Sequence, residues 1–310
     1  MNYSPLRYPG GKNKISPFIA KLCLDNNVNG HYVEPYCGGA AVALFLLLEN
    51  YVERITINDK DRSIYAFWHS LLNRTNDLCE LIENSDISIP EWHKQKLIQN
   101  NKSKENLLKL GFSTFYLNRV NRSGIIGARP IGGMKQEGEY KMDCRFNKVE
   151  LIGRIKRIAK QKKRINLYKK DALKLIDHIV IKENDPNTIF YFDPPYYLKA
   201  SSLYLNYYNE EDHKIVSDKI KSIDNMKWIV SYDNVDEIRK LYRGKAKKEY
   251  SLRHTSNKPV LGKEILFFSP YLKKPKGENW MPTDFKMKRK TTGNNIYQII
   301  SPRTSERRSI

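Results

Sequence analysis

Cysteine is scarce and acid is in deficit. Cys23, Cys37, Cys79 and Cys144 are spread over 310 residues, with no C-x-x-C pair and no histidine at metal-ligand spacing. Neither a disulfide framework nor a zinc or other metal site is supported, and a reducing cytoplasm fits this usage. Long apolar runs are missing too. The longest, Ala40 to Leu48, falls far short of the roughly 20 residues that a helix needs to span a bilayer, and the N-terminus lacks the apolar core of a signal peptide. A soluble cytoplasmic protein without a membrane partner is expected. No internal repeat is present. What is abundant is positive charge: 55 Lys and Arg stand against 34 Asp and Glu, a formal net charge of +21, with aromatic residues plentiful among the charges. Such a balance opposes compaction unless a polyanion is the partner, and nucleic acid is the first candidate.

The chain is organised around Thr188-Ile189-Phe190-Tyr191-Phe192-Asp193-Pro194-Pro195-Tyr196-Tyr197. An apolar, aromatic run of strand composition is stopped by two prolines, which cannot donate to a ladder. A carboxylate is thereby left at the strand's end, where an open α/β sheet binds its ligands. Asp193 can accept a hydrogen bond from an amino group, the Pro194 carbonyl can supply a second acceptor, and Tyr196 can offer a face for a planar base. Two acceptors on an amino group draw its lone pair out of conjugation and sharpen it as a nucleophile. The plainer reading is a loop in which the acid caps a helix and the prolines stiffen a turn.

Three further segments have the same strand-then-acid form. His31 to Phe45 reads as strand, glycine turn and apolar helix, with Glu34 and Gly38 in the turn. An acid there would repel a pyrophosphate, whereas a cationic cofactor suits it; S-adenosylmethionine carries a sulfonium and an ammonium and no phosphate. Some twenty residues on, Arg54 to Asp61 ends in Asp59, placed to accept from ribose hydroxyls, and Asp61, placed to cap the helix that runs through Leu72. Asp171 follows a strand at 164–168 and could meet a cofactor adenine. Ahead of all of these, a Pro- and Gly-bounded loop, Pro5 to Lys12, sets a cation beside a tight turn.

Between Asn73 and Asn147 the alternation of strand and helix breaks down into two helix-like segments, 90–101 and 104–119, and glycine-studded loops. Asn118, Arg119, Arg122 and Lys135 there are side-chain types that read base edges and phosphates. Lys148 to Lys170 carries ten basic residues against the single acid Glu150, with Leu151, Ile155 and Ile158 at helical spacing. This predicts an amphipathic helix whose Lys156, Lys160 and Lys163 face phosphates. Five strand-plus-helix units and a terminal strand pair predict a mostly parallel α/β sheet in a Rossmann-like arrangement. The expected division is a catalytic domain of 1–72 and 148–272, an inserted, mainly helical domain of 73–147, and a basic, partly disordered arm of 273–310.

Taken together, Arg7-Tyr8-Pro9-Gly10-Gly11-Lys12, Glu34-Pro35-Tyr36-Cys37-Gly38-Gly39-Ala40, Asp59-Lys60-Asp61, Tyr116-Leu117-Asn118-Arg119 and Asp193-Pro194-Pro195-Tyr196 resemble the Dam-type, class α DNA adenine methyltransferases, in the family's order. The resemblance implies the S-adenosylmethionine-dependent methyltransferase fold and transfer of methyl to the 6-amino group of an adenine flipped out of double-stranded DNA. It implies cofactor contacts from Tyr8, Lys12, Glu34, Gly38, Asp59, Asp171 and Asp193. Catalysis would rest on Asp193, Pro194, Pro195 and Tyr196, and the segment with Asn118 and Arg119 would recognise the target. A cognate restriction endonuclease sharing the site is a candidate partner. Cytosine 4-amino methyltransferases of this fold more often carry Ser in place of Asp193, and RNA or protein-glutamine methyltransferases Asn. A catalytically silent DNA-binding protein would keep the basic face and lose the pocket, and the intact Asp193, Asp59 and glycine turn argue against it.

Overall fold

The computed structural model describes residues 3–7, 12–183, 185–198, 208–255, 259–277, 279–289 and 297–301. Its strands are β1 (His31–Glu34), β2 (Arg54–Asn58), β3 (Ile165–Tyr168), β4 (Thr188–Phe192), β5 (Lys227–Asp233), β6 (Ala246–Thr255) and β7 (Pro259–Phe268). They form one sheet in the order β3-β2-β1-β4-β5-β7-β6. The first five are parallel, while β7 runs antiparallel to β5 and pairs with β6 as the edge hairpin. The mostly parallel α/β sheet expected from the sequence is therefore present.

Parallel strands must be covered on both faces, and β4 shows how the sequence meets that demand. Ile189 and Tyr191 point into one core with Phe18, Tyr32 and Phe115, whereas Phe190 and Phe192 point into the other with Leu175, Trp228 and Phe267. The first face is covered by α1 (Ser16–Asp25), α2 (Ala41–Leu48) and α3 (Arg62–Asn73). The second is covered by α8 (Ala172–Glu183), α9 (Glu210–Lys221) and α10 (Asp236–Leu241). Between β2 and β3, after α3, the chain builds α4 (Thr75–Glu83), α5 (Ile89–Asn100), α6 (Leu107–Val120) and α7 (Lys148–Ala159). Helix α4 had no counterpart in the sequence reading, because its buried Leu78, Cys79 and Ile82 are too few to set a period. Helix α6 is the surprise of this segment: Phe115 and Leu117 enter the same core as Tyr32 and Ile55.

The tail departs from expectation as well. Within 273–310, a short helix at Pro282–Asp284 and a hairpin of β8 (Lys286–Arg289) with β9 (Tyr297–Ile300) lie against α1. Trp280 stacks on Phe18 at 5.2 Å between ring centroids, and Phe285 packs on the same ring at 5.1 Å. Two aromatic anchors thus hold a stretch whose charges had suggested none. Among the described residues, no helix is long and apolar enough to cross a membrane.

Candidate active site

In this strand order the connections leaving β1 and β4 diverge, which opens a crevice at the carboxyl ends of those two strands. Glu34 ends β1, Asp59 follows β2 and Asp193 follows β4, and all three line one cavity of ≈ 190 Å³ together with Lys12, Pro195 and Tyr208. Residues widely separated in the chain are brought together here. Tyr8 lies outside the described residues. Asp171 sits at the rim, where it caps α8 through the Leu173 N–H at 3.0 Å and pairs with Lys60 at 3.2 Å.

The turn after β1 is built from backbone and acid. The Gly38 N–H donates to Asp59 Oδ2 at 3.0 Å, and its carbonyl accepts from the Trp68 indole at 2.9 Å. Asp59 Oδ1 accepts the Asp61 N–H at 2.9 Å, and Asp61 caps α3 by accepting from Ser63 and Ile64. Glu34 Oε1 takes both the Tyr32 hydroxyl, at 2.8 Å, and the Ala43 N–H of α2, at 3.2 Å. Burial pushes the Glu34 carboxyl up to about 8, against the lowering effect of those two bonds. Burial likewise pushes Asp59 up to about 7. Two half-neutralised acids facing one cavity favour a ligand that brings positive charge and hydroxyl donors.

Asp193 is the most heavily bonded of the three. Lys12 Nζ donates to its two oxygens at 2.8 and 3.1 Å, and the Ser231 hydroxyl of β5 donates at 2.6 Å. A carboxylate has about four lone-pair sites, so three donors leave one direction for an incoming N–H. Burial raises the Asp193 carboxyl above the usual range, and Lys12 and Ser231 oppose that shift. The turn behind it is fixed by Asp233, whose oxygens accept the Tyr197 and Leu198 N–H groups at 2.9 and 3.0 Å. Pro195 lines the cavity and Pro194 is buried behind it. Tyr196 is not the open stacking platform that its sequence context suggested. It is 4% exposed, its hydroxyl accepts from Lys12 at 2.9 Å and donates to Glu264, and Lys12 lies over its ring.

Asn118 and Arg119 must also be reassigned. Both are buried, and both are spent on backbone. Asn118 accepts the Arg7 N–H and donates to the Arg7 and Gly124 carbonyls, while Arg119 donates to the carbonyls of Arg145 and Pro5. They brace the cleft wall instead of presenting donors to a base. The loop they support, 121–130, supplies Ile125, Ile126 and Gly127 to the cavity lining and carries Arg122 exposed at the surface. Lys135 is exposed on the following turn. Of the α7 set, Lys160 and Lys163 stand at the amino end of β3, where Arg164 bonds the carbonyls of Val52 and Glu53. That is the opposite end of the strands from the cleft, a separation of one strand length or about 13 Å at least. Lys156 is exposed on the last turns of the same helix.

Three positions escaped the sequence reading. Ser231 and Glu264 sit inside apolar strands, and Asn58 ties the carboxyl ends of three strands by donating to the Pro35 and Lys170 carbonyls and accepting the Lys170 N–H. Only Asn58 carried a local signal, as the polar residue that closes an apolar run beside Asp59.

The model of the family described as D12 class N6 adenine-specific DNA methyltransferase matches residues 8–257. The chain is also similar to the Type II methyltransferase M.MjaIII of Methanocaldococcus jannaschii, with 24% identity over 262 residues that cover 77% of this chain and 87% of the relative.

Proposed function

The chain belongs to the D12 class N6 adenine-specific DNA methyltransferase family, and from that premise we propose that it moves a methyl group from S-adenosylmethionine to the 6-amino group of an adenine turned out of double-stranded DNA. The observation that carries the reading is Asp193: a carboxylate at the end of β4, oriented by Lys12 and Ser231, with one acceptor direction left toward the cavity. An adenine amino group donating there is held with its lone pair available for attack. Flipping the base costs a few kcal/mol of stacking and pairing. Phosphate contacts from the exposed Arg122 and Lys135 offset part of that cost. Segment 73–147 is proposed as the part that selects the target.

The lining fits S-adenosylmethionine better than a phosphate-bearing nucleotide, because Glu34 and Asp59 are acids held partly neutral by burial. Tyr8, Lys12, Glu34, Gly38, Asp59 and Asp171 would hold it, and when bound it supplies a methyl group already activated on a sulfonium. The protein's own contribution is orientation, exclusion of water and an acceptor for the amino group. Single-molecule sequencing of DNA from cells expressing the chain tests this directly. N6-methyladenine at one sequence is the expected result; methyl groups on cytosine N4, or on RNA only, would overturn it.

A pH dependence follows from the two raised acids. A carboxyl whose folded pKa lies above its unfolded value stabilises the fold at low pH, and that contribution is lost as pH rises through the folded value. For Glu34 and Asp59 the loss runs up to about 8 and about 7. A cationic ligand needs the ionised forms, so its affinity should rise over the same window, and binding near neutrality should release protons. Titration calorimetry in two buffers of different ionisation heat will detect that release, and Glu34→Gln should diminish it. Equal observed heats in the two buffers would refute the linkage.

Salt dependence separates the two basic regions. Each phosphate contact contributes roughly −0.9 to the slope of log K against log salt. Replacing Arg122 and Lys135 by Gln should flatten the slope, whereas replacing Lys160 and Lys163 should leave it within error, given their place at the amino end of the sheet. The reverse outcome, measured by DNA binding across a salt series, would put the DNA on the α7 side.

A further inference from the structure

Behind Asp193 lies a second buried acid to which the reading above gives no task. Glu264 stands midway along β7, opposite Asp233, so the antiparallel strand delivers its side chain to the carboxyl end of β5 from the other direction. It is 1% exposed. Its Oε2 lies 3.5 Å from Lys12 Nζ, and its Oε1 accepts the Tyr196 hydroxyl. Lys12 in turn reaches Asp193 at 2.8 Å and the Tyr196 oxygen at 2.9 Å. One ammonium is therefore shared between two carboxylates, one buried behind it and one at the wall of the cavity.

This sharing matters because Lys12 competes with the substrate. An ammonium has three donors, and every one aimed at Asp193 removes an acceptor site that the target amino group needs. A carboxylate on the far side of Lys12 draws the ammonium back. We propose that Glu264 is a positioning residue: by holding Lys12 and the Tyr196 hydroxyl from behind, it limits how fully Lys12 occupies Asp193 and keeps that carboxylate an acceptor for the amino group. The proposal rests on the reading of the cleft as a methyl-transfer site.

The groups around Asp193 give the sign of the expected change. Lys12 faces it from the short helix at 12–15, Glu34 from β1 and Glu264 from β7; Tyr191, Tyr196, Tyr232 and Tyr250 complete the surround from β4, the turn after it, β5 and β6. Burial is the main influence raising Asp193, Lys12 lowers it and Glu264 raises it further. Taking away the Glu264 charge thus leaves Lys12 to act on Asp193 alone, and the Asp193 carboxyl should ionise at lower pH.

The test follows Asp193 itself. In protein labelled at the aspartate carboxyl carbon, the Asp193 resonance, identified by its loss in Asp193→Asn, is titrated in wild type and in Glu264→Gln. A downward displacement of about one pH unit is expected, the lower end of what a charge at this range produces. Single-turnover methyl transfer should fall about 10-fold or more, as for a lost preorganising contact, with its acid limb displaced in the same direction. Glu264→Asp keeps the charge but withdraws it, so it should show a smaller displacement of the same sign and provides the comparison if Glu264→Gln does not fold. An Asp193 titration that stays in place, or moves upward, in either folded variant overturns the proposal. A wild-type protein that transfers no methyl group would instead refute the assigned reaction, and the titration would still decide whether Glu264 governs Asp193.

Discussion

Alanine at position 193 is expected to abolish methyl transfer, with a loss on the order of 10³-fold or more, the scale of removing a positioned acceptor or proton-transfer group from a reacting centre. The substitution deletes the carboxylate that Lys12 and Ser231 orient and that lines the cavity. It should not delete the fold. Lys12 remains paired with Glu264 at 3.5 Å, so no buried charge is stranded without a counter-charge. Thermal unfolding close to wild type alongside absent turnover is therefore the expected pair of results. Asp193→Asn refines the argument: it keeps the shape, but its amide places a donor where the incoming amino group also donates. Near-normal single-turnover rates in either variant would mean that another group accepts from the base.

The location of the cleft was legible because each of its acids ends a recognisable local pattern. Phe192 to Pro195 announces a strand that cannot continue, and Asp59 follows Asn58 at the close of an apolar run. What could not be read were contacts between distant parts of the chain. Glu264, in Lys263-Glu264-Ile265-Leu266-Phe267-Phe268, reads as a charge at the solvent end of an edge strand; only the antiparallel return of β7 beside β5 carries it inward to Lys12. The enclosure of Tyr196 is hidden for the same reason, since a tyrosine after two prolines gives no sign that Lys12 and Glu264 will bind its hydroxyl. Charge counting placed Lys160 and Lys163 correctly at the surface but could not say at which end of the sheet. For the tail, composition outweighed two aromatic residues that in fact decide its packing.

Asn118 shows most clearly how a strut differs from a reader. A polar pair at the end of a helix, followed by a basic loop, looks like a base-reading element, yet the Asn118 side chain is 2% exposed and holds three backbone groups. It accepts the Arg7 N–H at 2.7 Å and donates to the Arg7 carbonyl at 2.6 Å and the Gly124 carbonyl at 2.8 Å. The clamp is close-fitting from both sides: Gly124 has φ +75°, and a Cβ there would lie 2.4 Å from the Arg7 oxygen. Asn118 therefore fastens the strand of chain that leads to Lys12 onto the loop that walls the cleft. Asn118→Ala strips partners from those groups at about 1–3 kcal/mol for each that water cannot reach, and a destabilisation of roughly 3–5 kcal/mol is expected once the lost packing is included. Asn118→Asp should be no milder, because it retains the acceptor for Arg7 N–H but turns a carboxylate oxygen toward two carbonyls. Urea unfolding measures the cost, and the methylated sequence, read from whatever activity survives at low temperature, should be unchanged. Full stability with an altered recognition sequence would restore Asn118 to the surface that reads DNA.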